Sequence, residues 1–245
     1  MTELTFDQLK SITSPYGNAD ILKNTTSSFN KFAEEFGLTT DLRKAHFLAQ
    51  IAHESDHFKT TVEYGGSKTR YAPWYGRGLI QTTWEQNYTD FYKWCVKRGI
   101  SNVPEFAKGT NREAVAQFPW AFLCAVWYWE TRNLNELADQ DLVRVITKKI
   151  NGGYNGLADR IEFLNKAKKI FRLKTVDVDV APGSIVGGKF GVADIQRALV
   201  KKGVRTDIDG HMGPATLAAI KAFQQTNGLV PDGVIGAKTQ EKLFS

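Results

Sequence analysis

Cysteine is scarce in this chain: Cys95 and Cys124 are the only two among 245 residues. Two thiols make neither a disulfide framework nor a cysteine metal cluster. Cys124 sits inside an apolar run, where a thiol behaves as a small hydrophobe. Long hydrophobic runs are missing too. The greasiest stretch, FPWAFLCAVWYW (118–129), falls short of the roughly 20 apolar residues that span a bilayer and predicts a buried helix. No stable membrane insertion is expected. The opening MTELTFDQLKSITSPYG carries an acidic residue at position 3 and no apolar core, so no secretory signal is expected. There is also no Lys/Arg block and no basic stripe interleaved with aromatics. The net charge of +6 is thinly spread, which counts against a nucleic-acid partner and suits loose attraction to an anionic surface such as a membrane or a wall polymer.

What is present is helix. With 42% hydrophobic and 24% charged residues the composition is that of a globular protein, long enough for one large domain or two unequal ones. Apolar periodicity predicts helices near 5–13, 20–36, 40–55, 84–98, 111–131, 140–150 and 157–171. Thr40 is a candidate N-cap and Gly37 a terminator of the helix before it. Strand signals are few before residue 173, so the fold class is mainly α. The loop 56–80, rich in Gly, Tyr and Lys, is long enough to expect function in it.

After Phe171 the helical period disappears, and 174–188 reads as a linker with a possible short extended piece. An internal repeat follows: Asp209-Gly210-His211-Met212-Gly213-Pro214-Ala215-Thr216 recurs as Asp232-Gly233-Val234-Ile235-Gly236-Ala237-Lys238-Thr239. Asp-Gly favours a tight turn, and Pro214 suits a first helical position. A helix over about 191–202 comes before the repeat, and Leu217, Ile220 and Phe223 mark one apolar face of the next. The segment predicts a small three-helix module over 189–245. IQRALVKKG, DGHMGPAT, AIKAFQQTNGL and DGVIGAKT, in that order, resemble the peptidoglycan-binding domain appended to wall hydrolases.

Residues 45–88 carry the chemistry. A helix runs into Glu54, Glu63 follows, and a glycine-flanked GRGLIQ comes after. Two carboxyl groups beside a polar cleft can act as general acid and general base on a glycosidic bond. Ile51, Ala52 and Phe58 could shield Glu54, while Glu63 lies in a polar loop where it could hold a water. The same stretch spells His53-Glu54-Ser55-Asp56-His57, the H-E-x-x-H pattern of zinc peptidases, with His46 on the same helix, yet no familiar downstream motif supplies a third ligand. Trp74 and Tyr75 are the loop's candidates for stacking on a pyranose ring. Arg77, between two glycines, more simply braces the loop by pairing with a carboxylate. The Trp and Tyr of 120–129 are expected in the core.

The order FLAQIAHES, Glu63, YGRGLIQTTWEQNY, FLCAVWYWETR, ITKKINGG and ADRIEFL is similar to glycoside hydrolase family 19, the plant-type chitinases and chitinase-like phage lysozymes. That resemblance covers about 40–170. It implies a lysozyme-like helical catalytic domain over 1–173 and an inverting hydrolase needing no metal or organic cofactor. Glu54 matches the general acid and Thr83 the hydroxyl that helps hold the attacking water. Glu63 stands where the base is expected after a shortened loop, with Asp56 the alternative base. Gln81, Asn87 and Asn151 match residues lining the sugar cleft, and Arg160 an arginine near it. Together with the tail, the resemblance implies a monomeric phage-type endolysin with bacterial peptidoglycan as partner. Such an enzyme would wait in the host cytoplasm and reach the wall in the periplasm once a holin or similar pore opens the membrane. A chitinase of the same fold and a zinc endopeptidase are the alternatives.

Overall fold

The computed structural model describes residues 3–173, 185, 190–229, 231 and 233–245, the side chains of Ala237 and Lys238 excepted. Among them the chain forms α1 (Phe6–Thr13), α2 (Ala19–Phe32), α3 (Asp41–Glu54), α4 (Glu85–Lys97), α5 (Trp120–Thr131), α6 (Leu134–Asp139), α7 (Val143–Asn151), α8 (Leu157–Ile170), α9 (Val192–Lys201), α10 (Pro214–Thr226) and α11 (Ala237–Phe244), with short 3-10 turns at Gly66–Lys68 and Asn111–Ala116. The described residues hold no strand, only the isolated bridges Val62–Arg77, Arg77–Thr82 and Ile185–Ile235. The mainly helical fold class holds. The expected linker, 174–188, lies outside the described residues apart from Ile185. No helix among the described residues is long and apolar enough to cross a membrane.

Two helices run through the larger core. α3 is buried from Lys44 to Ala52 without a break, and α5 is buried at every position from Ala121 to Trp127 and at Trp129. A helix enclosed on all sides has no solvent face to satisfy. Phe47 of α3 meets Phe122 and Trp129 of α5 edge-on, with ring centroids 5.6 and 5.4 Å apart. Complete burial of one such side chain contributes about 1.5–3 kcal/mol. α3 packs most extensively on α8. It begins where the sequence placed its cap: the Thr40 side chain accepts a hydrogen bond from the Arg43 N–H.

Three helices are shorter than periodicity predicts. The one expected over 20–36 ends at Phe32, short of Gly37. The segment 111–131 is a 3-10 turn, an extended Gln117 (φ −103°, ψ 147°) and then α5. Pro119 has no N–H to give and excludes the helical region for the residue before it. The short α6 (Leu134–Asp139) is unexpected, and the helix expected over 140–150 begins only at Val143, because Asp141 before it adopts φ 59°. There its carboxylate reaches His46 Nε2 at 2.7 Å and Lys168 Nζ at 2.5 Å. A buried ion cluster overrides the local pattern.

A second, smaller core gathers Ile195, Ala198 and Leu199 of α9, Ala219, Ile220 and Phe223 of α10, and Ile235 and Leu243 beyond them. Pro214 takes the first turn of α10 as its sequence suggests. Each turn of the repeat is held by a buried glutamine. Gln196 accepts from the Gly210 N–H and its amide nitrogen reaches Asp209 Oδ1, the His211 carbonyl and Thr216 Oγ1. Gln224 accepts from the Gly233 N–H and reaches the Val234 carbonyl and Thr239 Oγ1. Asp232 lies outside the described residues.

Candidate active site

Glu54 is the last residue of α3, so the helix that is most deeply enclosed delivers it to the surface. Its side chain is 18% exposed and pairs through Oε1 with Arg160, itself 1% exposed. A carboxylate at a helix C-terminus meets the partial negative charge of the last carbonyls, and the guanidinium of α8 offsets it. Gln50, one turn back along α3, accepts from Arg160 Nη1 at 2.5 Å and fixes the arginine. The apolar collar expected around Glu54 is different in kind: Ile51, Ala52 and Phe58 are fully buried in the core, and what meets the carboxylate is Arg160.

The chain leaves α3 through an unusual turn. Asp56, His57 and Phe58 adopt φ of 47°, 63° and 59° in succession, a left-handed conformation that costs each non-glycine residue free energy. Ser55 holds the turn in place, donating to the Ile51 carbonyl at 2.6 Å and accepting from the Phe58 N–H at 3.1 Å. Burial of the Phe58 ring adds to that.

Glu63 is held by donors on both oxygens: the Tyr71 hydroxyl gives to Oε1 at 2.5 Å and the Gly76 N–H to Oε2 at 2.8 Å. The carboxylate in turn raises the Tyr71 phenol above its ordinary range. Gly76 allows this approach, since a Cβ there would lie 2.7 Å from Gln81 Oε1 and 3.3 Å from the Glu63 Cβ. Arg77, fully buried, braces the loop: it pairs with Glu113 at 2.7 Å and donates to Tyr88 Oη and to the carbonyls of Pro73 and Tyr75. The sequence placed it in that role.

Two adjoining hollows result. One, about 390 Å³, is lined by His53, Glu54, Asp56, His57, Thr60, Glu63, Tyr64, Gln81 and Asp159. The other, about 160 Å³, is lined by Glu54, Ile80, Gln81, Thr82, Thr83, Asn87, Tyr128, Ile150 and Asn151. Glu54 and Gln81 belong to both. The structure therefore brings Glu54, Glu63, Thr83, Gln81, Asn87 and Asn151 to one cleft, with Arg160 behind Glu54. Gln81 and Asn87 also serve local backbone, their amide nitrogens donating to Gly78 at 3.1 Å and Thr83 at 2.7 Å. The Thr83 hydroxyl donates to the Gln81 carbonyl at 2.9 Å.

Trp74 and Tyr75 line neither hollow. Trp74 packs on Tyr88 with ring centroids 5.4 Å apart and lies beneath Arg112. The Tyr75 ring lies 3.8 Å from the Arg77 guanidinium, and its Cβ and ring crowd the space beside Gly66. Both rings are committed to holding the loop.

Several lining residues escape sequence reasoning. Asp159 of α8 accepts from His53 Nδ1 at 2.5 Å and lies 3.4 Å from His57 Nε2. Burial alone would raise the Asp159 carboxyl, but the hydrogen bond and charge of His53, with His57 beside it, carry it below the usual carboxylate range. The two histidines of the H-E-x-x-H pattern thus converge on a carboxylate. Among the described residues no group of three His, Cys, Asp or Glu side chains is arranged to hold a metal ion. Tyr128, expected in the core, lines the second hollow, and nothing local in the sequence marks Tyr71 as the partner of Glu63. Gly156 gives the His53 ring its room: any Cβ there would collide with it, at 2.0 Å from Cε1.

A lysozyme-like helical fold with two glutamates on one cleft defines a glycoside hydrolase. A glycosyl hydrolase family 19 domain-containing protein of Haemophilus influenzae is 30% identical over 171 residues, spanning 52% of this chain and 79% of that one. An endochitinase of Arabidopsis thaliana is 36% identical over 120 residues, which are 44% of this chain but only 38% of the plant protein. Chitinase C from Streptomyces griseus superposes with a TM-score of 0.51 at 21% identity, covering 71% of this chain and 95% of that chain, a likeness of fold. The peptidoglycan binding domain family matches residues 191–243. The chain belongs to glycosyl hydrolase family 19 and carries a peptidoglycan-binding domain at its C-terminus.

Proposed function

We propose that the protein is an endolysin that hydrolyses the glycan strand of bacterial peptidoglycan, with residues 1–173 catalytic, 174–188 a linker and 189–245 the wall anchor. The observation that carries this reading is the cleft shared by Glu54 and Glu63 in a chain whose tail matches a peptidoglycan binding family. Glu54, acting through Oε2, the oxygen not engaged by Arg160, delivers the proton to the leaving glycosidic oxygen. Glu63 removes a proton from water. The water keeps its second hydrogen and donates it in a hydrogen bond to Thr83 Oγ1, whose own hydrogen is given to the Gln81 carbonyl, so a lone pair faces the anomeric carbon. Such an inverting pair works with its carboxyl groups roughly 6.5–9.5 Å apart. Gln81, Asn87 and Asn151 offer amides to the sugar substituents. The tail holds the enzyme at the wall and raises the local substrate concentration. The protein acts as a monomer with no metal or organic cofactor. Its phage role places it in a host cytoplasm until a holin-like pore opens a route to the periplasm.

Digestion of purified peptidoglycan followed by mass analysis of the fragments tests this. New reducing sugar ends, at a rate unchanged by a strong chelator, are expected. Fresh amino termini, or activity lost to chelator and restored by zinc, would hand the site to His53 and His57. Faster release from chitin than from peptidoglycan would make it a chitinase.

A further inference from the structure

Trp84 breaks two local rules at once. It stands at the N-cap of α4, a position favouring Ser, Thr, Asp, Asn or Gly, and provides no capping hydrogen bond. Its backbone sits at φ 74°, ψ 137°, a region that bulky residues rarely enter. Glycine would fit there without penalty. A large aromatic ring maintained in a strained conformation is expected where the ring itself is needed.

The ring is not needed for the core, because Trp84 is 50% exposed. Its backbone is nonetheless fixed, with the N–H donating to the Trp74 carbonyl at 2.8 Å and the carbonyl accepting from Asn87 at 3.0 Å. On one side the indole meets Tyr71, ring centroids 5.1 Å apart, and that tyrosine holds Glu63 through its hydroxyl. In sequence it follows Thr83, a wall of the second hollow. Trp84 therefore stands at the rim of the cleft, lining neither hollow itself, next in sequence to Thr83 and one ring removed from Glu63. A hexopyranose presents an apolar C–H face, and an indole fixed in place provides a large flat apolar surface at little entropic cost.

The geometry points to Trp84 as the aromatic platform for a sugar ring next to the scissile bond on the Glu63 side, with an N-acetylhexosamine as its ligand. This rests on the glycosidase reading above. Trp74 and Tyr75 are less exposed than Trp84, with their rings packed against Tyr88 and Arg77.

Trp84→Gly tests it, because glycine relieves the backbone while removing the platform. Reducing-end release would be measured on soluble peptidoglycan glycan strands, with thermal unfolding of the same full-length proteins. Expected are a KM raised about tenfold, a factor worth about 1.4 kcal/mol, a smaller effect on kcat, and a Tm equal to or above that of the parent. Trp84→Tyr should restore most of the affinity. If Trp84 only buttresses Tyr71, the glycine variant loses kcat at unchanged KM, or loses Tm together with activity, and the assignment is overturned. Wild-type protein that releases no reducing ends would instead overturn the glycosidase reading itself.

Discussion

The catalytic region and the tail solve the same problem with different chemistry. Each must hold an irregular segment between helices in one shape, and each does so with a buried polar side chain reaching into the turn. In the cleft the anchors are charged: Arg77 beneath the 73–82 loop and Arg160 behind Glu54. In the tail they are neutral, Gln196 and Gln224, each fixing one copy of the repeated turn. A guanidinium can hold a carboxylate against a helix end and still supply several donors in fixed directions. An amide has one acceptor oxygen and two donor hydrogens, enough to shape a backbone turn and to meet the Asp209 carboxylate within it. Carboxylate chemistry needs the first arrangement; a small folded module needs only the second. Variants in the two regions should accordingly separate turnover from wall retention.

The largest effect is expected at Glu54. Glu54→Gln keeps the shape and the contact with Arg160 but has no proton to give. Turnover on glycan strands should fall by about 10²–10⁴-fold, the usual share of acid–base catalysis, with retention on sacculi unchanged. Residual activity near wild type would mean that another group protonates the leaving oxygen. Retention lost along with turnover would erase the contrast between the regions.

Next comes Arg77→Met. Removing one partner of a buried ion pair costs about 3–5 kcal/mol. The low end is expected, because Glu113 is half exposed and water can take its charge. The Tyr88 hydroxyl and the Pro73 carbonyl lose a donor as well. The denaturant midpoint of the catalytic region should drop, and an unchanged midpoint would remove the arginine from its bracing role.

These two positions also show where the sequence was legible. Glu54 could be located because a capped, apolar helix ends on it, and Arg77 could be read as a brace because it lies between glycines in a polar loop. The repeat in the tail was visible as a repeated string. The aromatic platform was not. Trp74, Tyr75 and Trp84 occupy one short segment with similar composition, and only packing decides that the first two are half-buried while the third stays exposed. Asp159 and Arg160 lie far along the chain from the His53 and Glu54 that they touch, so nothing local announces them. The breaks at Gln117–Pro119 and at Asp141 were hidden by apolar periodicity that continues across them.

A smaller effect is expected in the tail. Gln224→Leu fills the same volume but takes the buried acceptor from the Gly233 N–H and removes the bond to the Val234 carbonyl. An unsatisfied buried group costs about 1–3 kcal/mol. Wall retention should weaken, while turnover on short soluble strands stays at the wild-type rate. An equal loss on both substrates would show that the module does not act as an anchor.

The smallest effect is one of pH and belongs to the cluster of His46, Asp141 and Lys168. Burial holds His46 below the ordinary imidazole range, outweighing the pull of Asp141. Burial would raise Asp141, yet the hydrogen bonds from His46 and Lys168 bring it below the usual carboxylate range. Both folded values are thus depressed, so at falling pH the unfolded chain takes up protons that the folded chain refuses. Stability from His46 is complete above its unfolded value of 6.5 and is lost as acid is added. That from Asp141 begins to disappear only below 3.8. One proton of difference gives a slope of at most about 1.4 kcal/mol per pH unit. Between pH 7 and 5 the denaturant midpoint of the catalytic region should therefore decline, and His46→Gln should flatten that decline while lowering the plateau. The tail has no counterpart, because its anchors are amides that do not titrate. A midpoint for its unfolding that fell just as steeply over this interval would break the division between charged and neutral anchors.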